Sequence, residues 1–467
     1  MIYDHKKNNV AGINIAYIGG GSRAWANVLM IDLAREKQLS GTVKLYDIDY
    51  EAACENAAVG NRTSARDDVP GKWKYETTQS LPDALKGADF VVISILPGTF
   101  EEMRSDVHEP EKYGIYQPVG DTTGPGGIIR ALRTIPLYIE FAENIKKYCP
   151  DAWVINYTNP MALCVRTLYE VFPKIKAFGC CHEVFSTQLD VANMVDKHLG
   201  VQGAKKHDIK VNVLGINHFT WLDKISYKGF DLMPLYDKIA NEYSVEGYVR
   251  ENNAHRKNSV FRCSNAVKFD LYRRFGVAAA AGDRHLVEFM PSSRYLKDLQ
   301  TIERWGFALT PVDWRIEDRK EVNKKRKRRI DGLDELELHD TGEEGVLQLK
   351  AILGLGDYVT NVNMPNVNQL CGITPGAVVE TNAYISKDSV QPICSGRLPW
   401  DVHNMVSRHS GNQEAVLEAA MTGNKTLAFN AFINDPLVDW IDIGDAKKLF
   451  DVMIENTKAY LPNQWGW

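Results

Sequence analysis

The sequence lacks long hydrophobic runs, dense cysteines and an excess of positive charge. No apolar stretch approaches the ~18 residues that a membrane helix needs. The opening residues have neither the apolar core nor the cleavage site of a signal peptide. The formal net charge of -5 on 467 residues gives no electrostatic reason to bind nucleic acid or an acidic membrane. We therefore expect a cytoplasmic protein with no nucleic-acid and no membrane partner.

Cysteine is sparse, with eight residues over the whole length, which argues against a disulfide framework. Two cysteines adjoin in "FGCCHEVF", where Cys180 and Cys181 precede His182 and Glu183. Neighbours on a strand point to opposite faces, so Cys180 should pack in the core. Glu183 stays open between a charge at a helix N-terminus and a residue that supports the site. A packed cysteine is the commonest explanation of such a stretch.

One basic run, "NKKRKRRID" at residues 323–331, could indicate a nucleic-acid patch. Acidic segments flank it and no aromatic residues interrupt it. This pattern favours the solvated face of a helix.

The first half of the chain alternates strand-like and helical segments. The strands are "INIAYIG", "TVKLYDID", "ADFVVISIL", "AWVINYTNP" and "IKAFGCC", with amphipathic segments between them. This alternation predicts an α/β protein with an N-terminal Rossmann-like doubly wound parallel sheet, as in malate and lactate dehydrogenases, over residues 1–202. From 203 to 467 the irregular pattern predicts a mixed α/β catalytic domain, with the active site at the interface. Within it, "DIKVNVLGINHFTW" is predicted as one strand.

The first strand leads directly into "GGGSRA", which matches the dinucleotide fingerprint G-x-G-x-x-A. Glycines there let the backbone approach a pyrophosphate, and the following helix N-terminus attracts it. Asp47 ends the second strand, where an acid accepts from ribose hydroxyls and favours NAD over NADP. The strand ends at "SILPG" and "INYTNP" should lie near the nicotinamide. The residues assigned to the cofactor are Gly19, Gly20, Gly21, Ser22, Asp47, Ser94 and Asn156.

Cys181 and His218 form a second candidate group, because both lie where predicted strands end. A thiolate and an imidazole with open positions suit Mn²⁺, Co²⁺, Ni²⁺, Fe²⁺ or Zn²⁺. Spacing alone favours a packed cysteine and an ordinary histidine. A cysteine nucleophile with His218 as its base is a further alternative.

Eight motifs follow one another over some three quarters of the chain. They are "IAYIGGGS", "LYDID", "VGDTTGPGG", "ALRTIP", "INYTNPM", "GCCHE", "LGINHFTW" and "VTNVNMPN". Together they resemble the NAD- and Mn²⁺-dependent glycosidases of glycoside hydrolase family 4. "FGCCHEVF", "GINHFTW" and "AAAAGDRHLVEF" are most similar to its α-galacturonidase branch, which releases galacturonate from α-linked galacturonides.

The resemblance implies an oxidation–elimination–addition–reduction route, outside the usual scheme of two carboxylates. NAD⁺ takes a hydride from carbon 3 of the sugar, and the metal polarises the resulting ketone. A base removes the proton at carbon 2 and the aglycone leaves carbon 1. Water then adds and the hydride returns, so that NAD⁺ is regenerated in each turnover.

The resemblance also assigns roles to residues. Cys181 and His218 correspond to the metal ligands, and Asn159 to a binder of sugar hydroxyls. His182 is the candidate acid and Asp283 the candidate base. Asp121 stands where the family commonly has a glutamate, so its inherited role is open, including support of the metal through water.

A uronate needs a cation for its carboxylate, preferably an arginine. The sequence does not choose among Arg23, Arg104, Arg284 and Arg294, although Arg284 in "AGDRH" is assigned to the substrate. His285 beside it is either a substrate residue or a supporting or core histidine.

Two other classes of function compete with the hydrolase. A net NAD-dependent sugar or hydroxy-acid dehydrogenase would accumulate NADH, and an NAD-sensing binding protein would show no turnover. A family member that acts on an α-galactoside, α-glucoside or glucuronide is a further alternative. The expected partner is a small uronide or oligosaccharide, and the family's habit predicts a homodimer or homotetramer.

Overall fold

The computed structural model describes residues 1–4, 6–250 and 258–467. Its strands are β1 (Ile2–Asp4), β2 (Asn9–Ile18), β3 (Leu39–Tyr46), β4 (Lys72–Thr78), β5 (Phe90–Ile93), β6 (Trp153–Asn156), β7 (Lys176–Gly179), β8 (Ile209–Ile216), β9 (Phe219–Tyr227), β10 (Phe230–Asp231), β11 (Ala278–Ala279), β12 (Tyr358–Pro365), β13 (Val378–Ser386) and β14 (Ser389–Pro392). Its α-helices are α1 (Trp25–Arg35), α2 (Tyr50–Ser64), α3 (Leu81–Leu85), α4 (Phe100–His108), α5 (Gly124–Tyr148), α6 (Met161–Val171), α7 (Glu183–Leu199), α8 (Met233–Glu242), α9 (Ala266–Phe275), α10 (Asp283–Leu286), α11 (Ser292–Tyr295), α12 (Leu299–Arg304), α13 (Val312–Ile330), α14 (Gly345–Ile352), α15 (Trp400–Thr422), α16 (Lys425–Ile433) and α17 (Ile443–Thr457).

Six neighbouring strands of the larger sheet are parallel, in the order β4-β3-β2-β5-β6-β7, with β4 at the edge. β5 and β6 are buried at every position, as expected for strands covered on both faces. The order reverses between β2 and β5, which opens a crevice at their carboxyl ends. The predicted Rossmann-like N-terminal fold is therefore confirmed. The edge strand β4 was not predicted, although the alternation of polar and apolar residues in "KWKYETT" is typical of a half-buried strand.

The C-terminal half extends the same sheet. β12 pairs antiparallel with β7, and β13 and β14 continue beyond it. A separate four-stranded sheet comprises β8, β9, β10 and β11. The mixed α/β character predicted for this half is confirmed, while the boundary between residues 202 and 203 stays a prediction.

The single strand predicted over residues 208–221 is wrong. β8 and β9 form an antiparallel hairpin in which Ile216 pairs with Phe219, so that Asn217 and His218 make a two-residue turn. The apolar run is continuous because strands on both sides of the turn are buried there. Periodicity alone does not reveal a turn inside such a run.

Helix α13 contains the basic run. Most of its charged side chains are exposed, which agrees with a solvated helix face, but Arg326 is buried. The helix packs against α2 and α4, both of which begin at the carboxyl edge of the sheet. No helix within the described residues has the length and apolar character needed to cross a bilayer.

A buried ion pair fixes the segment that follows β5. The Arg133 guanidinium donates to both carboxylate oxygens of Asp106, and its Nε donates to the Pro97 carbonyl at 3.0 Å. Both side chains are almost fully buried. The pair therefore joins α4, α5 and the "SILPG" loop at the edge that carries the crevice.

Asp106→Ala should lower the free energy of unfolding by about 3–5 kcal/mol, because it leaves the Arg133 charge buried without its partner. Urea denaturation measures this change. Glu455→Ala, which removes an exposed ion pair with Lys458, is the control and should change little. Equal losses of stability in the two variants would contradict the conclusion that the buried pair of Asp106 and Arg133 stabilises the fold.

Candidate active site

The glycine turn after β2 has no room for side chains. A Cβ at Gly19 would lie 2.0 Å from the Ser94 carbonyl oxygen, and φ there is +95°. A Cβ at Gly20 would lie 2.6 Å from Leu45 Cβ, and one at Gly21 would lie 2.9 Å from Asp47 Cγ. The turn is thus built by glycine and leads into α1, as a dinucleotide site requires.

Asp47 lies beside this turn. Its Oδ2 accepts from the Gly21 amide at 2.8 Å, and its Oδ1 accepts from the Asp49 amide at 2.9 Å. Burial raises the pKa of the Asp47 carboxyl. A carboxylate has lone pairs beyond these two bonds, so ribose hydroxyls remain able to donate to it.

Asn56, which was not predicted from the sequence, fixes the glycine turn through hydrogen bonds to its backbone. Its Nδ2 donates to the carbonyls of Gly20 and Ser22, both at 2.8 Å. The Ser22 hydroxyl accepts from the Trp25 amide at 3.2 Å, inside the first turn of α1. An asparagine in mid-helix gave no recognisable signal.

Ser94 and Asn156 lie at the carboxyl ends of β5 and β6. Asn156 accepts from the Tyr138 hydroxyl at 2.5 Å and donates to the Thr158 carbonyl at 3.0 Å. Its amide therefore shapes the strand end from inside the protein. Ser94 is nearly buried directly beneath Gly19.

Asp121, His218 and His285 form a cluster whose ligand atoms all lie within 4.8 Å of one another. The two imidazoles are stacked with centroids 3.8 Å apart. Burial opposes ionisation of Asp121, but His218, His285 and Arg130 hold its pKa well below the usual range. A carboxylate with two imidazoles is a donor set for a divalent transition metal.

The hairpin turn places His218 in this cluster. His218 has φ +63°, a left-handed conformation that is uncommon outside glycine and asparagine. Burial and the neighbouring His285 lower the pKa of His218 to about 3. Burial also lowers the pKa of His285. Both imidazoles are therefore neutral near pH 7, which is the form that binds metals.

The Thr122 hydroxyl connects Asp121 with His218. It donates to Asp121 Oδ1 at 2.7 Å, and its oxygen lies 2.8 Å from His218 Nδ1. An ionised carboxylate only accepts, so the single hydroxyl hydrogen belongs to that bond. His218 must then donate from Nδ1, which leaves Nε2 with a free lone pair for a ligand.

The loop before α5 that carries Asp121 is held by buried groups. Glu288 Oε1 accepts from the amides of Val119 and Gly120 at 2.7 and 2.9 Å. Arg284 Nη2 donates to the Pro118 carbonyl at 2.7 Å. Glu288 was missed because one glutamate in an apolar segment has no distinguishing pattern.

Cys181 lies next to the hairpin turn but outside the three-residue cluster. Its thiol interacts with the side chain of Asn217, the neighbour of His218. It packs with Met161 and Val378, whereas Cys180 belongs to a different hydrophobic cluster. Burial raises the pKa of the Cys181 thiol. All eight cysteines are unpaired.

His182 is half-exposed at the start of α7. Its ring nitrogens lie 3.6 Å from Glu183 and 3.4 Å from Glu343. Glu183 Oε2 accepts from the Gly282 amide at 2.7 Å, and its other oxygen lies 3.8 Å from His285 Nε2. Glu183 is thus both the first residue of α7 and a neighbour of His285, so the two alternatives considered for it are compatible.

Asp283 contacts the N-terminus of α9. Its Oδ1 accepts from the Lys268 amide at 2.9 Å, and further backbone amides of Ala266 and Val267 act on it. Burial raises its pKa to about 6 despite these bonds. Its Oδ2 is buried without a hydrogen bond to any described residue. No sequence motif indicates this helix-capping geometry.

Asn159 faces the cluster. Its Nδ2 donates to Asp121 Oδ2 at 3.2 Å, while its buried Oδ1 has no partner among the described residues. Arg130 Nε donates to the Asn159 carbonyl at 3.0 Å. The free amide oxygen can accept from a ligand hydroxyl. His285 Nδ1 is likewise buried and unpartnered within the described chain.

The four arginines considered for a carboxylate are placed differently. Arg284 is committed to the carbonyls of Pro118 and Ala308 and to the Thr310 hydroxyl. Arg23 pairs with Asp49 and Arg104 with Asp313, while Arg294 is exposed. These hydrogen bonds and ion pairs depend on contacts between distant segments, which local sequence patterns do not reveal.

The geometry defines a dinucleotide turn and a metal-type cluster at one sheet edge, and sequence comparison gives the class. The profile described as "Family 4 glycosyl hydrolase" matches residues 14–197, and its C-terminal domain matches residues 213–438. The chain therefore belongs to glycosyl hydrolase family 4.

Among its relatives, the alpha-galacturonidase of Thermoanaerobacterium saccharolyticum is 58% identical over 98% of both chains. A Bacillus subtilis crystal structure, described provisionally as a glucosidase, has 50% identity and a TM-score of 0.91, covering 95% of this chain and 100% of that one. A 6-phospho-alpha-glucosidase from gut microorganisms, in complex with NAD and Mn²⁺, has 21% identity and a TM-score of 0.80, covering 97% and 99%. The last shows likeness of fold.

Thr122→Val should weaken Mn²⁺ binding about 10- to 100-fold, because it removes the bond that orients His218 and fixes its tautomer. Thr122→Ser retains the hydroxyl and should bind nearly as well as the parent. Electron paramagnetic resonance titration with Mn²⁺ measures the affinity. Equal affinity of the valine and serine variants would refute the role of the hydroxyl.

The buried Glu288 carboxyl should make stability depend on pH, because burial raises its pKa from 4.5 to about 8. The folded chain then holds this proton more tightly than the unfolded chain, so its contribution to stability is lost as pH rises through about 8. Glu288→Gln keeps an acceptor but cannot ionise. Its free energy of unfolding should therefore fall less between pH 5 and 9, and parallel urea-denaturation profiles would argue against this assignment.

Proposed function

We propose that this chain is an α-galacturonidase that hydrolyses α-linked galacturonides with NAD⁺ and a divalent metal such as Mn²⁺. The similarity to an alpha-galacturonidase over 98% of both chains is the observation that carries the proposal. The cluster of Asp121, His218 and His285 beside Asn159 supplies the chemical setting.

The residues fit a dinucleotide. The glycine turn excludes side chains, Asp47 retains acceptor capacity, and α1 begins immediately after the turn. Gly19, Gly20, Gly21 and Ser22 would hold the pyrophosphate. Ser94 and Asn156 would then form the wall near the nicotinamide.

The residues also fit a metal ion. The cluster offers one carboxylate and two neutral imidazoles, and His285 Nδ1 is a buried orphan atom within the described chain. We propose His218 as a ligand, with Cys181 approaching from the Asn217 side. Asp121 and His285 complete the donor set, beyond the pair that the sequence suggested.

When bound, NAD⁺ supplies a hydride acceptor and the metal supplies an electrophile for the sugar oxygens. Asn159 Oδ1 accepts from a sugar hydroxyl and orients carbons 2 and 3. His182, at the exposed rim between two carboxylates, protonates the leaving glycosidic oxygen. Asp283 removes the proton at carbon 2 through Oδ2, and a pKa of about 6 suits a base at neutral pH.

The cytoplasm is the proposed location, since eight unpaired cysteines persist most readily in a reducing compartment. Assembly into a homodimer or homotetramer remains an expectation from the family.

The reaction is tested with NAD⁺, Mn²⁺ and aryl α-galacturonide in deuterated water. We expect hydrolysis without accumulation of NADH and with deuterium at carbon 2 of the released galacturonate. Product without deuterium would rule out the elimination route. NADH formed in proportion to product would indicate a net dehydrogenase, and preference for α-galactosides or 6-phosphates would overturn the substrate assignment.

Cys181→Ser should weaken Mn²⁺ binding at least tenfold while leaving NAD⁺ affinity nearly unchanged, because a hydroxyl is a poorer ligand than a thiolate. Cys180→Ser is the matched control, because Cys180 packs in a different hydrophobic cluster from Cys181. This variant should retain its affinity for Mn²⁺. Isothermal titration with each ligand measures both constants. Equal metal affinity in the two variants would remove Cys181 from the site.

A further inference from the structure

Helix α13 packs against α2 and α4 at the carboxyl edge of the sheet. Residues 315, 319, 323 and 326 share one face of the helix at a spacing of about one turn. Toward the helix C-terminus, Arg326 pairs with Glu55 of α2, and Asn323 accepts from Arg23 at 2.8 Å. This half therefore lies beside the adenosine end of the dinucleotide turn.

The middle of the helix lies along the crevice at the carboxyl ends of β2 and β5, which is called the groove below. Arg319 lies over the Phe100 ring at 5.1 Å and is close enough to Asp47 and Asp49 for their charges to act on it. Four residues earlier, about 6 Å along the axis, stands Arg315. The helix direction thus leads from the cofactor end of the groove toward the metal-type cluster.

The N-terminal turn of α13 is fixed next to the loop of Asp121. Trp314 packs edge-on against Phe261 at 5.0 Å, and Arg284 lies over the same ring at 5.3 Å. Arg284 in turn donates to Pro118, three residues before Asp121. Arg315 is close enough to both Arg284 and Asp121 for its charge to act on them.

Arg315 is half-buried, and the carboxylates of Asp121 and Asp318 are close enough for their charges to act on it. Across the part of the chain that the structure describes, it forms no hydrogen bond and no ion pair. The nearby Asp121 is already engaged by Thr122 and Asn159. By contrast, Arg23, Arg104 and Arg284 each have partners of their own. A partly desolvated guanidinium with free donors is suited to a ligand carboxylate.

We propose that Arg315 binds the carboxylate at carbon 5 of the uronide and thereby distinguishes uronides from neutral sugars. The proposal rests on the proposed function, because only a uronide brings this carboxylate to the metal-type cluster. The groove then holds the acidic sugar beneath the N-terminal turn of α13 and the dinucleotide beneath its middle.

The test compares Arg315→Gln, Arg315→Lys and the parent by titration with D-galacturonate and with D-galactose, with NAD⁺ and Mn²⁺ present. Arg315→Gln should lose about 10- to 100-fold in galacturonate affinity, the range for a charge-assisted pair, with galactose affinity unchanged. Arg315→Lys should lose less, since it keeps the charge without the fork. Arg104→Gln, which removes an exposed ion pair, is the control and should match the parent.

In steady-state assays the same loss should appear mainly in KM for the aryl galacturonide. An unchanged ratio of galacturonate to galactose affinity in Arg315→Gln would overturn the assignment. An equal loss for both sugars would also overturn it, because that pattern marks a general defect of the groove. If the parent protein binds galacturonate through Arg315 but does not hydrolyse galacturonides, the proposed function fails and the carboxylate site stands.

Discussion

The hydrogen bonds of one hydroxyl join the two halves of this protein at its candidate active site. Thr122 follows a loop on the nucleotide-binding side, and His218 sits on a hairpin of the C-terminal half. By donating to Asp121 and accepting from His218, Thr122 sets the distance between these two side chains and the tautomer of His218, on which the proposed metal site depends. The cluster exists only while loop and hairpin are held in this register.

Much of the surrounding structure maintains that register. Glu288 and Arg284 hold the loop through its backbone, and buried strands flank the left-handed turn at His218. The local conformation at His218 is unfavourable by itself, so the packing of the hairpin must stabilise it. Burial keeps the imidazoles neutral while Asp121 stays ionised. This combination favours the binding of a cation over an internal ion pair.

Sequence analysis predicted those features that depend on local pattern. The "GGGSRA" turn and Asp47 follow a strand and a helix signal, and the structure places them together. The partners of His218 were harder, because Asp121 and His285 lie far from it in the chain and meet only through folding. The hairpin was not predicted, because the residues on both sides of its turn are buried and form one continuous apolar run. Such a run contains no polar segment that would indicate a turn.

The roles proposed for Asp283 and Arg315 depend on tertiary contacts that the spacing of residues in the sequence does not reveal. Asp283 in "AGDRH" is predicted as the base, yet its Oδ1 caps a helix, and only Oδ2 lacks a hydrogen-bond partner among the described residues. Arg315 lies within a solvated basic helix and becomes distinctive only because folding brings it close to Asp121. In both cases the decisive fact is which neighbours leave a polar atom free.

The proposal that most needs a test is that His218, together with Asp121, His285 and Cys181, holds a metal at the carboxyl edge of the sheet, beside the dinucleotide. Anomalous diffraction from crystals grown with Mn²⁺ and NAD⁺ tests it directly. We expect a single strong peak within coordination distance of His218 and of at least one of Asp121, His285 and Cys181, next to the nicotinamide. A peak that avoids His218, or no peak at saturating Mn²⁺, would contradict it.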